Sequence, residues 1–179
     1  MQNSKITKFA DVPAYTRQGC YTVNVPWKYL PENIHRWQTE HGSALLDLEP
    51  DFQRGHVWTV PQQVAFVEYV LRGGMSGRYI YFNCAGWMHD FRGPFVIVDG
   101  LQRITAALDF LNNKIQAFGS YYKEFTDSLN ISDAQFIFNV NNLKTRQEVL
   151  QWYIQMNEGG TPHTPEEIEK VRNLLKGAA

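Results

Sequence analysis

The sequence of 179 residues lacks several features that define particular protein classes. Its two cysteines, Cys20 and Cys84, have no metal-ligand spacing, so we expect reduced packing residues and no disulfide framework. No segment reaches the roughly 20 consecutive apolar residues of a membrane span. Residues 1–11 contain no apolar signal core. We therefore expect a cytoplasmic protein that has no membrane partner.

Charge of one sign and the common catalytic motifs are also missing. The formal net charge is −1, which gives no overall attraction to nucleic-acid phosphates, although a local basic patch stays open. The chain has no Walker-type glycine loop followed by Lys-Ser/Thr, and no Gly-x-Ser-x-Gly elbow. The histidines show no paired metal spacing, so no resident metal site is predicted.

What remains is the composition of an ordinary folded domain, with 44% hydrophobic and 14% aromatic residues. We predict a flexible arm at residues 1–19 and one domain at 20–179. Periodicity predicts an α+β fold with strands at 21–25, 78–82, 94–98, 114–118 and 135–140 and a helix at 31–38. Further helices are expected after Thr59, Gly100, Thr145 and Thr164. The segment 83–93 is either a hairpin loop or the rim of a pocket.

The most informative segment is 95–105, where an apolar strand meets Asp99-Gly100 and a helix follows. Gly100 gives the turn conformational freedom. Gln102 and Arg103 lie at the start of the helix, where free N–H groups and the helix dipole favour an anion such as phosphate. The apolar stripe of this helix is Ile104, Leu108 and Leu111. The alternative is that Asp-Gly serves only the turn.

A second polar cluster, at 49–58, also precedes a helix. Thr59 and Gln62 form a capping-box pattern there, and Pro61 fits the first turn. Gln53 and Arg54 therefore lie just before a helix start, and His56 is the one histidine considered as an acid/base or phosphate contact. The predicted buried stripe is Val60, Val64, Val67 and Leu71. The alternative is a surface loop in which Phe52 and Trp58 fill the core.

The C-terminal part predicts two helices. Thr145 and Glu148 form a cap pattern, and the expected buried face is Val149, Trp152, Tyr153 and Met156. The last helix begins near Thr164, and its packing residues are Ile168, Val171, Leu174 and Leu175. Between the helices, the loop 157–163 either brings Asn157 to a ligand or simply connects them.

Taken in order, three elements resemble the N-terminal domain of GmrSD-type restriction systems, within the ParB/sulfiredoxin-like superfamily. They are Pro50-Asp51-Phe52-Gln53-Arg54, Val98-Asp99-Gly100-Leu101-Gln102-Arg103, and Asn157-Glu158-Gly159-Gly160-Thr161-Pro162. The resemblance spans roughly residues 21–174 and implies a small mixed sheet with packed helices and extra C-terminal helices. The family motif is usually Asp-Gly-Gln-Gln-Arg. Leu101 replaces its first glutamine, and it either alters ligand contacts or packs inward.

The resemblance implies a nucleotide-handling module of a defence or counter-defence system. It implies that Arg54 and Arg103 contact phosphates, that Asp99 organises a water or Mg²⁺, and that Gln53 and Gln102 position the substrate. Asp51, Gly100 and Asn157 are the remaining nucleotide-binding candidates, and Asp99, Gln102 and Arg103 are the catalytic ones. The expected ligand is a nucleoside triphosphate with Mg²⁺. No nuclease domain follows, so we expect action through a partner protein, such as a nuclease or another defence component.

Three function classes stay open. The module is a nucleotide hydrolase, a nucleotide-gated interaction module whose site is inactive in catalysis, or a DNA-binding or DNA-nicking relative of ParB. The first two share one site and differ in turnover. The third needs a basic groove, which the charge balance disfavours.

Overall fold

The structure is a computed structural model that describes residues 5–8, 12, 21–40, 44–87, 89–158 and 165–177. The strands in these residues are β1 (Tyr21–Pro26), β2 (Leu46–Asp47), β3 (Tyr79–Cys84), β4 (Phe95–Asp99) and β5 (Gln135–Asn141). The helices are α1 (Leu30–Thr39), α2 (Val60–Leu71), α3 (Leu101–Leu111), α4 (Arg146–Glu158) and α5 (Pro165–Gly177). This content confirms the predicted α+β class. The ParB/sulfiredoxin-like assignment and the division into an arm and one domain stay predictions, and most of the arm lies outside the described residues.

The strands form one mixed sheet in the order β1-β5-β3-β4-β2. β1 runs antiparallel to β5, and β5 runs parallel to β3. β3 and β4 are antiparallel neighbours, so the segment 83–93 includes the loop of a hairpin. On its other side β4 pairs in parallel with β2. The strand that leads into Asp99-Gly100 therefore lies inside the sheet, with neighbours on both sides.

One face of the sheet holds the main core. Alternate residues of the strands point to this face, as the two-residue period of a strand requires. Helices α1, α2 and α3 add their apolar side chains to the same cluster. Its largest fully buried members are Trp27, Phe82, Phe95, Phe110, Phe136 and Phe138. Cys84 is also buried here as a free thiol, and burial raises its pKa. Cys20 lies outside the described residues.

The opposite face carries a second, smaller core, which α4 and α5 build with β4. Val98 points to this side and packs with residues of α4. The predicted buried residues Val149, Trp152 and Tyr153 are confirmed, and Met156 is partly buried. Phe52 is 4% exposed and lies in this core, so the loop before α2 is attached to the sheet by an apolar anchor.

Both predicted capping patterns are present. Thr59 and Gln62 form a capping box at the start of α2. At the start of α4, the backbone N–H of Thr145 donates to Glu148 Oε2 at 3.0 Å, and the N–H of Glu148 donates to Thr145 Oγ1 at 3.2 Å. These side chains satisfy N–H groups that the first helical turn leaves without partners. The starts of α2 and α4 are thus fixed by residues close by in the sequence.

The predicted stripe of α2 is wrong at its first position. Val60 is 58% exposed, whereas Gln63 is 4% exposed and Val67 and Val70 are fully buried. The buried face is therefore rotated toward Gln63. This rotation is tolerated because the Gln63 amide has polar partners inside the protein, which reduces the cost of burying it.

One predicted strand is wrong, and one strand was not predicted. Residues 114–118 form no strand, because Asn113 and Phe118 have φ values of 60° and 52°, outside the extended region. Only a single bridge between Ala117 and Ser120 forms there. Conversely, β2 was not predicted, since two residues are too short to show an alternating pattern.

Candidate functional site

The turn between β4 and α3 requires a glycine for two independent reasons. Gly100 has φ of 111° and ψ of 8°, in the left-handed region. A Cβ atom at this position would lie 2.5 Å from Ile80 Cδ1 on the neighbouring strand, which is closer than atoms can approach. The turn is consequently packed against β3, and the first turn of α3 begins at the C-terminal end of β4.

Leu101, the departure from the family motif, packs inward. It is 6% exposed and belongs to the main core cluster. This outcome decides between the two alternatives left open by the sequence. Leu101 therefore anchors the start of α3 and offers no group to a polar ligand.

Gln102 connects the start of α3 to the loop at 53–58. Its Oε1 accepts the backbone N–H groups of Val57 at 2.9 Å and Trp58 at 3.1 Å. Its Nε2 donates to the carbonyl oxygen of Gly55 at 3.0 Å. One side chain thus satisfies three backbone groups of a loop that is distant in sequence. The role of Gln102 in positioning a substrate stays a prediction. These contacts indicate that any such role would act through the loop.

Gln53 attaches the same loop to the sheet. Its Nε2 donates to the carbonyl oxygen of Val98 at 2.7 Å. The adjacent residue, Arg54, is half-buried and lies between this attachment and Gly55, which Gln102 holds. The two motifs predicted from the sequence therefore meet, and they place Arg54 in the loop that borders the start of α3.

Asp99 and Arg103 form an ion pair one helical turn apart, through Asp99 Oδ2 and Arg103 Nη2. The other guanidinium nitrogen, Nη1, donates to the carbonyl oxygens of Tyr79 at 2.9 Å and Gly77 at 3.3 Å. The Arg103 side chain is only 18% exposed. Arg103 consequently joins the motif turn to the beginning of β3, and its predicted contact with phosphate stays a prediction.

The remaining predicted site residues lie on the side of α4. Asp51 forms a two-oxygen ion pair with Arg146 Nη2, at 2.9 Å and 2.7 Å, and both side chains are largely exposed. Asn157 Nδ2 donates to the carbonyl oxygen of Tyr153, one turn earlier in α4, at 2.7 Å. The loop that follows, at 159–164, lies outside the described residues. Whether Asp51 and Asn157 bind a nucleotide stays a prediction.

Sequence reasoning did not single out the tyrosines of β3. The register between β3 and β4 shifts between Tyr81 and Phe82, as it does at a β-bulge, and it pairs Tyr81 with Asp99. Bulges redirect side chains and are frequent near functional sites. Burial raises the pKa of Tyr81, and the nearby Asp99 carboxylate raises it further. The alternation Tyr79-x-Tyr81 is the signal that was available, because it predicts that both rings lie on one face of the strand.

A polar chain behind the loop was missed as well. Gln63 Nε2 on α2 donates to His56 Nε2 and also to Asp109 Oδ2 on α3, the latter at 3.3 Å. Asp109 in turn pairs with Lys114 Nζ at 3.0 Å. His56 is therefore held by a buried amide, in addition to the hold that Gln102 has on its neighbours. A buried glutamine cannot be recognised from hydrophobic periodicity, because a polar side chain on a helix is read as solvent-exposed.

Asp99 is the carboxylate of the site that could hold a cation together with the phosphates of a ligand. Within the described residues, no three or more His, Cys, Asp or Glu side chains gather as a metal-binding group. Among those same residues, Asp99 Oδ1 accepts no hydrogen bond, so one oxygen faces no competing donor. Mg²⁺ is commonly held by one or two carboxylates, substrate phosphates and water. Asp99 fits that limited role.

Comparison with known proteins identifies one family. A sequence model of the family described as GmrSD restriction endonuclease, N-terminal domain, matches residues 38–137, which is more than half of the chain. The match includes the loop at 53–58 and the turn at 99–103, and it ends before Asn157. Curated proteins and solved structures gave no match. In the described part of the chain, no helix is long and apolar enough to cross a membrane.

Proposed function

This chain belongs to the GmrSD restriction endonuclease N-terminal domain family, and on that premise we propose that it binds a nucleoside triphosphate with Mg²⁺. The membership gives the chain the context of a restriction or defence system. The proposed binding place is the start of α3, between the loop at 53–58 and the beginning of β3. Hydrolysis of the nucleotide is the reaction that this arrangement would support.

One observation carries the proposal: two glutamines hydrogen-bond to backbone groups and hold the loop that contains Arg54 next to the start of α3. Gln102 holds Gly55, Val57 and Trp58, while Gln53 is fixed to β4. The first turn of a helix offers backbone N–H groups and the positive end of the helix dipole. Arg54, in the loop that Gln102 attaches to that turn, would add a planar fork of donors. The combination suits phosphate oxygens.

Within this proposal each residue has a distinct task. Arg54 and the N–H groups of α3 would bind phosphate, and Asp99 would hold Mg²⁺ or orient a water. Arg103 acts as a positioning residue, because its guanidinium holds Asp99 and the start of β3. Gln53 and Gln102 position the substrate indirectly, by holding the loop that carries Arg54.

For hydrolysis, a water oxygen would form the new bond to the terminal phosphorus. The bond from that phosphorus to its bridging oxygen would break, and the products would be a nucleoside diphosphate, inorganic phosphate and a released proton. Mg²⁺ would supply charge neutralisation of the phosphates when bound. The contribution of the chain would be position and electrostatics, and Asp99 is the residue that would orient the water.

Thermal stability of the wild-type chain with each nucleoside triphosphate, with and without Mg²⁺, tests binding. At about 100 times its dissociation constant, a ligand that binds only the folded state stabilises it by about 2.7 kcal/mol. For a domain of this size the midpoint should rise by roughly 5–11 °C. No shift with any nucleotide would contradict the proposal and leave DNA or a protein as the ligand.

Phosphate release then separates an enzyme from a nucleotide-gated module. We expect release with the wild type and a strong reduction with Asp99→Asn, which removes the charge but keeps the shape of the side chain. Binding without any release would retain the nucleotide site and reject hydrolysis. Release that persists in Asp99→Asn would reject the task assigned to this carboxylate.

A further inference from the structure

Two tyrosines of β3 form an aromatic surface next to the Asp99–Arg103 pair. Tyr79 and Tyr81 alternate along the strand, so both rings lie on the face opposite the main core. Their planes are nearly parallel, at 18°, and their centroids are 6.2 Å apart. Trp152 of α4 meets Tyr81 edge-on, at 6.1 Å and 89°. The Tyr81 ring is thus packed against α4, while the Tyr79 ring lies farther from α4 and is more exposed.

This surface is continuous with the proposed phosphate site. The carbonyl oxygen of Tyr79 accepts a hydrogen bond from Arg103 Nη1 at 2.9 Å. Tyr81 is the cross-strand partner of Asp99. The two strand residues that carry the rings are therefore linked to the ion pair, Tyr79 by a hydrogen bond to its backbone and Tyr81 by its pairing with Asp99. A ligand with an anionic end and a planar end would meet both surfaces.

Exposure and charge favour a planar, uncharged group on Tyr79. Tyr79 is 48% exposed, although its strand, β3, lies between the two hydrophobic cores. The register places Ile137 next to Tyr79 and Asn24 beyond Ile137, so this row of the sheet carries no charged side chain. Covering such a ring with another flat ring removes apolar surface from water and adds stacking.

We propose that Tyr79 stacks on the base of the nucleoside triphosphate whose phosphates lie at the start of α3. This inference rests on the proposed function and adds how the nucleoside is held. Stacking on an aromatic side chain tolerates every base, because each base has a π-face. The site should therefore accept all four bases, with purines bound more tightly than pyrimidines because their ring area is larger.

The experiment compares binding of ATP, UTP and inorganic tripolyphosphate, each with Mg²⁺, by calorimetry. Wild type, Tyr79→Ala and Tyr79→Phe are measured beside Tyr29→Ala, a control tyrosine that is 41% exposed and lies outside the site. Tyr79→Ala should weaken both nucleotides by about 5- to 150-fold and leave tripolyphosphate unchanged. Tyr79→Phe should keep nucleotide affinity within about twofold, because the ring remains.

The outcomes separate this inference from the proposed function. If the wild type binds nucleotides and Tyr79→Ala binds them equally well, the base platform is wrong and the phosphate site stands. If Tyr79→Ala weakens tripolyphosphate as much as ATP, the tyrosine has only a structural role, and the inference is again wrong. If the wild type binds neither nucleotides nor tripolyphosphate, the proposed function fails and the platform fails with it.

Discussion

Replacing Gln102 with alanine should open the loop at 53–58 without disturbing α3. The substitution removes three hydrogen bonds to backbone groups of this loop, at 2.9, 3.1 and 3.0 Å. A typical intramolecular hydrogen bond contributes about 0.5–1.5 kcal/mol net. Because these groups are exposed or only partly buried, water replaces some of the loss, and we expect about 1–3 kcal/mol in total. Alanine itself suits a helix.

Limited trypsin cleavage after Arg54 measures that opening directly. If Gln102→Ala lowers the free energy of loop opening by about 1–3 kcal/mol, cleavage should be roughly 5- to 150-fold faster, provided that opening and closing are fast relative to cleavage. The thermal midpoint should fall by about 2–12 °C. Gln151→Ala is the matched control, since Gln151 is an exposed glutamine on α4. Equal cleavage rates in the wild type and Gln102→Ala would refute the argument that Gln102 holds the loop.

Two further predictions follow from the turn and its neighbouring strand. Gly100→Ala should destabilise the fold by about 2–5 kcal/mol, because alanine is strained in the left-handed region and its Cβ would clash with Ile80. Chemical denaturation measures this loss of stability, and a loss below about 1 kcal/mol would contradict the prediction. Tyr81 should titrate above the ordinary tyrosine pKa of 10.0, because burial and Asp99 both disfavour its anion. Its folded-state pKa exceeds the unfolded one, so its contribution to stability is present below pH 10 and lost as pH rises above it. Absorbance at alkaline pH should show this titration moving toward lower pH in Asp99→Asn, and an unmoved curve would contradict the assigned cause.

The parts of the fold that the sequence predicted are those with strong local signals. The Asp99-Gly100 turn, the cap at Thr59 and the cap at Thr145 each depend on residues a few positions apart, and all three are present. The predicted strands near 21, 78, 94 and 135 follow from apolar alternation or continuous apolar runs. Local periodicity was thus sufficient for most elements of the sheet.

The parts that were missed depend on contacts between distant segments. Gln63 is buried because His56 and Asp109 approach it from a loop and another helix, which no single segment reveals. The inward packing of Leu101 was left open, since a helix start can face either solvent or core. The tyrosine surface on β3 appears only when the register pairs Tyr81 with Asp99. Tertiary pairing, rather than propensity, decides each of these.

The candidate site shows the same division. The two motifs were recognised separately from the sequence, and the family match covers both. The bonds of Gln53 and Gln102 to backbone groups could be recognised only from the geometry. Arg103 likewise pairs with Asp99 one helical turn away, and its bonds to the carbonyl oxygens of Gly77 and Tyr79 span 26 and 24 residues. The sequence singled out the candidate residues, and their contacts with one another are seen only in the fold.

The most direct test of the account is the dissociation constant of Mg²⁺-ATP for the wild type and for Arg54→Ala, measured by calorimetry. Losing a hydrogen bond to a charged group costs about 1.5–3 kcal/mol, so we predict about 10- to 150-fold weaker binding. Arg92→Ala is the matched control, because its side chain is 79% exposed and lies in the β3–β4 hairpin loop. This control should bind as the wild type does. An unchanged dissociation constant in Arg54→Ala would contradict a phosphate site at the start of α3.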